Sequence, residues 1–232
     1  MRLRTPTAYD AFNSTKFKIA GFVGKTMTEH DWFRNSEWNE DVEANFFAKL
    51  HRARDKSQYL RIQANTLAQK YPAVALRLLN QYFDLGEHFD QAQAYVDRAT
   101  AHLALGDVEQ ALCSYEAAIS REAVYPQVKT GAYLYFSFLV ATQHLNSRYD
   151  QSLRLLSKNK SALTFPVDYF RWCAAAALIL ADLGEVIEAK HHAKQALEAA
   201  SQKHSGFRYH PNIGLVGEEY ESVYNQLRSI QK

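Results

Sequence analysis

From residue 28 onward, apolar side chains recur every three or four positions, the spacing that lines one face of an α-helix. Thr28, with Asp31 three residues later, fits a helix-capping pair, and Ser36 is placed to cap a helix carrying Trp38, Val42, Phe46, Leu50 and Ala53 on one side. Glu37 and Glu40 would sit in its first turn and Arg52 and Arg54 in its last, as the helix dipole favours at each end. The pattern predicts a lid helix with one wet face, followed by four helix pairs. In the clearest pair, Tyr95 to Ser120, Gly106-Asp107 ends one helix and Ala111, Tyr115 and Ala118 line the next. A later pair starting at Trp172 turns at Gly184-Glu185 and places Ala189, Ala193 and Ala196 at the same spacing. Glycine suits a helix C-terminus because it enters the left-handed region without steric cost. Small residues three and four apart allow paired helices to approach closely.

A small-aromatic-small triplet after a Gly-Asp turn resembles the second helix of the tetratricopeptide repeat. Ala111, Tyr115 and Ala118 fit it; Ala189, Ala193 and Ala196 fit except that alanine replaces the aromatic. Between them lies a degenerate unit in which Ser147 stands at the turn and Ser152 at the first small position. Before them, Tyr59 to Phe83 forms another, with Pro72 opening its second helix as a first-turn proline does. The turn-to-turn steps, Gly106 to Ser147 and on to Gly184, are 41 and 37 residues, longer than the family's roughly 34, so a HEAT-like helical array stays open. The resemblance spans about Tyr59 to Ser201. It implies an all-α, right-handed α-α superhelix of about four stacked hairpins over residues 28–232, with N-terminal and C-terminal capping helices. Val216, Tyr220, Val223, Leu227 and Ile230 form the stripe of the last cap. Each hairpin needs a neighbour or a cap to cover its apolar face.

In such repeats the ligand lies against the first helix of each pair. Carried over by spacing, the resemblance selects Arg61, Gln93, Asp97, Thr100, Phe138, His144 and Arg171 as groove residues, a mixture suited to a peptide or a partner helix. A two-lysine carboxylate clamp is not evident; Arg171 and Arg208 are instead placed to pair with an acidic partner. The stretch from Ser205 to Pro211 packs Phe207, Arg208, Tyr209 and His210 into the least repeat-like part of the body. It reads as a recognition loop or as a plug in which Phe207 and Tyr209 cover the end of the core.

Composition narrows the class. Apolar residues make up 47% and aromatics 13% of the 232, against 9 glycines and 5 prolines, which disfavours disorder and turn-rich sandwiches. The net charge of +2 is uneven: Arg2, Arg4, Lys16, Lys18 and Lys25 against Asp10 give residues 1–27 a charge of +4, leaving the remainder near −2. A body so near neutrality lacks the global positive field of non-specific nucleic-acid binding. The basic N-terminal segment, 1–27, resembles an organelle transit segment, or translation starts at Met27; the segment is expected to be poorly ordered or not native. Cys113 and Cys173 lie in apolar helical stretches and read as small buried hydrophobes in a reducing, cytoplasmic setting. No run reaches the roughly 18 apolar residues of a membrane span.

Catalytic chemistry finds little support. GFVGKT at Gly21–Thr26 ends like a phosphate-binding loop but has Ile19 where the earlier glycine belongs and no strand-helix setting. His191 and His192 point about 100° apart on a helix and cannot chelate one ion from one face. Lys49, Arg52, Arg54, Lys56 and Arg61 crowd a helix end near Tyr59, a basic run that touches nucleic acid or simply complements the helix dipole. The expectation is a non-enzymatic adaptor or scaffold of bacterial type, without cofactor or metal, holding a protein or peptide partner. A toxin-neutralising immunity protein and a nucleic-acid-associated helical protein are the alternatives.

Overall fold

A computed structural model of the chain describes residues 31–232, and among them all regular structure is helical. The basic segment 1–27, the GFVGKT string and Thr28 lie outside the described residues. The chain divides into two compact units, whose described parts are residues 31–132 and 133–232.

Among the described residues of the first unit, the first α-helix is α1 (Glu40–Arg52). Its cap is Asn39, whose side chain accepts a 2.9 Å hydrogen bond from the Val42 amide, not Ser36. Asn39 directly precedes the acidic first turn of Glu40, Asp41 and Glu43, so the dipole and the cap are satisfied together. Glu37 therefore lies outside the helix, where it accepts hydrogen bonds from Lys70 and from the Tyr71 hydroxyl. Trp38 also stands before the helix, its ring 5.6 Å from Phe46 and its indole N–H donated to Glu43 at 2.7 Å. Next come α2 (Lys56–Leu67), capped by Asp55, and α3 (Pro72–Asp84), opened by Pro72 as the sequence implies. The pair α4 (Gln91–Ala104) and α5 (Val108–Val124) follows, with Asp107 capping α5 through the Gln110 amide. Leu60, Leu67, Leu78, Leu79 and Tyr82 join Phe46 and Leu50 in one buried cluster. On α5, Ala111, Tyr115 and Ala118 are buried as the repeat pattern requires, whereas Cys113 is exposed rather than buried. The register that turns Leu112 and Ser114 inward leaves the residue between them facing out.

The second unit contains α6 (Ala132–Thr142), which begins at the boundary, α7 (Tyr149–Lys158), α8 (Pro166–Asp182), α9 (Val186–Ala200) and the terminal α10 (Glu221–Gln231). Pro166 starts α8, and Asp168 holds that end by accepting from the Phe165 amide at 3.1 Å. Ala174, Ala175 and Ala177 of α8 and Ala189, Ala193 and Ala196 of α9 are all buried. With methyl groups on both sides the two backbones pack closely. Tyr220, Val223 and Leu227 are buried and form the cap's working stripe, with Val216 and Ile230 only partly covered.

Three helix ends share one geometry. Gly106 and Gly184 have φ of 80° and 81°, and the next amides, of Asp107 and Glu185, reach back to the carbonyls of His102 and Leu180, both at 2.9 Å. This is the Schellman closure. The third is at His144, φ 53°, with the Leu145 amide bonded to the Val140 carbonyl at 3.0 Å. Ser147 is thus not the turn residue of the degenerate unit; it lies in a short 3₁₀ segment, Asn146–Arg148. Measured from these left-handed positions, the steps are 38 residues from Gly106 to His144 and 40 from His144 to Gly184. Packed adjacent helix pairs are compatible with a helical repeat.

Candidate functional site

In the first unit, three of the four selected residues, Arg61, Gln93 and Asp97, converge on one another. Asp97 is fully buried on α4 and accepts from the Arg61 guanidinium at 3.3 Å, from Gln93 at 3.2 Å and from Asn65. Arg61 also donates to Asp90, which takes a 2.7 Å bond from the Tyr82 hydroxyl. Burial works against the charge on Arg61, but Asp97 and Asp90 outweigh it and hold its proton more tightly than usual. Burial and the bond to Asp90 likewise push the Tyr82 hydroxyl up, so it remains a donor. Thr100 is buried and its hydroxyl returns to its own helix at the Val96 carbonyl, 3.1 Å away. These polar groups tie α2, α3 and α4 together in a part-buried network centred on the buried Asp97 carboxylate. Of the basic stretch nearby, Arg52, Arg54 and Lys56 remain exposed, while Arg61 is drawn inward.

In the second unit, Phe138 is fully buried, with its ring 5.8 Å from Tyr220, and Arg171 is only 6% exposed. Arg171 donates from Nε to the Tyr220 hydroxyl at 2.7 Å and lies between the rings of Tyr135 and Tyr220, 5.2 and 5.5 Å from their centroids. Neither side chain lines an open surface, because the capping segment covers both. His144 is exposed, and its Nδ1 lies 2.8 Å from Asp182. Burial tends to raise the Asp182 carboxyl, yet the hydrogen bonds from His144 and from the Tyr149 hydroxyl bring it below its ordinary value. The contact holds two helix ends together.

The remaining three selected residues are displayed. Between α9 and the cap the backbone is closed by the Ser205 amide bonded to the Pro211 carbonyl at 2.8 Å. The Ser205 hydroxyl donates to the His210 carbonyl at 2.7 Å and accepts from the Phe207 amide at 3.2 Å, and the His210 amide bonds back to the Phe207 carbonyl. Underneath, Phe207 rests 5.3 Å from Phe165, and the Gly214 carbonyl takes the Val167 amide at 2.8 Å. Phe207 rests on Phe165 with 41% of its surface still exposed, while Tyr209 is 80% exposed. The Arg208 guanidinium lies over the Tyr209 ring at 5.5 Å and has no carboxylate partner among the described residues. Phe207 is in ring contact with Phe165 on one side, and Arg208, Tyr209 and His210 face solvent.

Sequence reasoning did not single out Lys203, His204 or Phe165. Residues 199–217 contain Lys203, His204, Arg208 and His210 but no Asp or Glu, a charge run that a window count detects. Phe165 carried no such signal, since its role depends on Gly214, 49 residues on. Among the described residues no group of three His, Cys, Asp or Glu side chains is placed to hold one metal ion, and no helix is long and apolar enough to cross a membrane. Comparison with known protein families, characterised proteins and solved structures finds no match to this chain.

Proposed function

We propose that this chain is a non-enzymatic interaction module of tetratricopeptide-like helix pairs, and that it binds an acidic segment of a partner protein through the 205–211 loop. The observation that carries the reading is the contrast within one short loop: its backbone is closed on itself by hydrogen bonds, yet Tyr209 is 80% exposed. A large side chain held out on a pre-ordered backbone loses little further entropy on binding. Tyrosine and arginine are also the residue types that dominate binding energy at interfaces. Charge sets the partner's chemistry, because Lys203, Arg208 and two histidines crowd the loop and its approach without a nearby acid in sequence.

The test is affinity capture from the native cell with the wild type, Arg208→Ala, Tyr209→Ala and Arg208→Glu. A stoichiometric acidic protein, retained by the wild type and lost by all three variants at unchanged thermal stability, is the expected result. Co-purifying nucleic acid, released by moderate salt, would replace the protein reading with a nucleic-acid one. A partner held equally by all four proteins would place the contact elsewhere.

A further inference from the structure

In the first unit, residues 44–83 contain Lys49, Arg52, Arg54, Lys56, Arg61, Lys70 and Arg77 against a single acid, Asp55. Acids from outside that run neutralise three of these cations: Asp90 and Asp97 take Arg61, Glu37 takes Lys70 and Glu43 takes Arg77. The other four, Lys49, Arg52, Arg54 and Lys56, have no ion-pair partner among the described residues. They crowd the junction of α1 and α2, where Arg52, Arg54 and Lys56 are exposed and Lys49 is half-buried. The dipole of α1 accounts for Lys49 and Arg52, which lie in its last turn. It does not account for the others. Lys56 is the first residue of α2, whose first turn holds no acid, and Arg54 precedes it at the end where a helix repels cations. Asp55, between them, is occupied as the cap, accepting from the Ser57 hydroxyl at 2.7 Å and the Gln58 amide at 3.1 Å. Helix electrostatics therefore gains nothing from Arg54 and Lys56.

An aromatic ring is displayed at the same end of α2. Asp90 pins the loop between α3 and α4 to α2 by accepting from Arg61, and it takes the Tyr82 hydroxyl at 2.7 Å. The Ser57 hydroxyl and the Gln58 amide hold the Asp55 carboxyl below its ordinary value, and His88 adds to the effect, which places His88 close to the start of α2. Phe89, between His88 and Asp90, is 80% exposed. In that loop Glu87 is taken by Arg121 at 3.1 Å, and Asp84, exposed at the end of α3, is one acid against four unpaired cations. We infer that this end of the first unit binds a single-stranded nucleic acid, its phosphates along Arg52, Arg54 and Lys56 and one base on the Phe89 ring. Cations without an intramolecular partner are free to displace the counterions of a phosphate chain. An exposed ring on an anchored backbone is a stacking platform that any unpaired base fits. An acidic peptide would bring the charge but no base. A patch of this size acts over roughly one Debye length, about 10 Å, so it does not need a positive field over the whole body.

The measurement is fluorescence anisotropy of a labelled oligouridylate of about 12 nucleotides titrated with the whole chain. Binding should be saturable, with a dissociation constant on the order of 10 µM at about 50 mM salt, and roughly 20- to 50-fold weaker at about 200 mM, the slope for three to four phosphate contacts on a single strand. Arg52→Gln, Arg54→Gln and Lys56→Gln combined, all at exposed positions, should weaken binding at least about tenfold and flatten the salt dependence. Phe89→Ala should weaken it at least about fivefold and keep the salt dependence. Arg54→Lys with Lys56→Arg, which preserves the charge, should bind like the wild type, and thermal unfolding verifies that each variant is folded. An oligoglutamate of the same charge should bind at least about tenfold more weakly than the oligouridylate. Arg208→Ala should leave this titration unchanged, whereas nucleic acid held by the 205–211 loop would be lost in that variant. Absence of saturable binding, undiminished binding in the triple variant, which keeps the basic segment 1–27, or full affinity in Phe89→Ala would each overturn the inference. Equal affinity for oligoglutamate would overturn it in favour of an acidic protein.

Discussion

Arg171 and Arg208 are both arginines that the sequence marks for a partner's acid, and the structure assigns them opposite phenotypes. Arg171→Ala deletes a charged hydrogen bond to Tyr220, worth about 2 kcal/mol. It also removes stacking between Tyr135 and Tyr220, worth about 1 kcal/mol, and leaves a void where the aliphatic stem lay, costing about 1 kcal/mol more. Relief of the desolvation that burial imposes on the ion returns about 1 kcal/mol. The expected net loss is about 3 kcal/mol in urea unfolding followed by circular dichroism. Arg171→Met keeps the stem's volume and drops the charge, so it should cost about half as much. Arg208→Ala, at an exposed position, should stay within about 0.5 kcal/mol of the wild type. If Arg171→Ala unfolded like the wild type while losing a captured partner, Arg171 would be a contact residue and its placement beneath the cap would be wrong.

Gly214→Ala should cost about 2 to 4 kcal/mol and open residues 205–211 to limited proteolysis, because φ is 65° there and an added Cβ would meet the Phe165 Cβ at 2.5 Å; unchanged stability and protease resistance would refute it. With a thiol reagent near pH 7.5, native protein should titrate about one fast thiol and denatured protein two, since Cys113 is exposed whereas burial pushes the Cys173 thiol up to about 11. A Cys113→Ser variant that still reacts fast would contradict that assignment. His144→Gly should be more stable than His144→Ala by about 1 kcal/mol, as both lose the bond to Asp182 but only glycine relaxes the left-handed backbone. Because the folded Asp182 carboxyl lies below its ordinary value, its contribution is complete above the unfolded pKa of about 4 and is lost as pH falls through the folded one. Asp182→Asn should therefore flatten the stability profile below about pH 4, and an unchanged acid limb would sink the point.

Features set by neighbouring residues were legible in the chain. Pro72 can open a helix and do little else inside one, and Gly106 and Gly184 mark ends because φ near 80° is costly for other residues. The alanine spacing of α8 and α9 announces close packing before any partner is known. What escaped depends on contacts remote in sequence. His144 takes a glycine's conformation, a choice held in place by Asp182, 38 residues later, so a search for small residues stops at Ser147 instead. Asn39 caps α1 in preference to Ser36 because Glu37 and Trp38 are engaged by Lys70, Tyr71 and Phe46 before the helix can start.

Spacing within a repeat fixes the helical face on which a residue lies, but not what covers that face. Arg61 falls within reach of Asp90 and Asp97, and Arg171 within reach of Tyr220 and Asp168, so both charges are consumed in holding helices together. Such buried charges cannot be withdrawn to greet a partner without leaving their own acceptors unmatched, at a cost of several kcal/mol. Arg208 differs in kind: among the described residues its guanidinium lies over the Tyr209 face without a carboxylate partner, and the segment around it supplies no acid. A cation exposed on a backbone closed by its own hydrogen bonds has no intramolecular carboxylate to give up among the described residues when it meets a second molecule. On the reading proposed above, charge reversal at Arg208 is the perturbation to which binding of an acidic partner should respond most steeply.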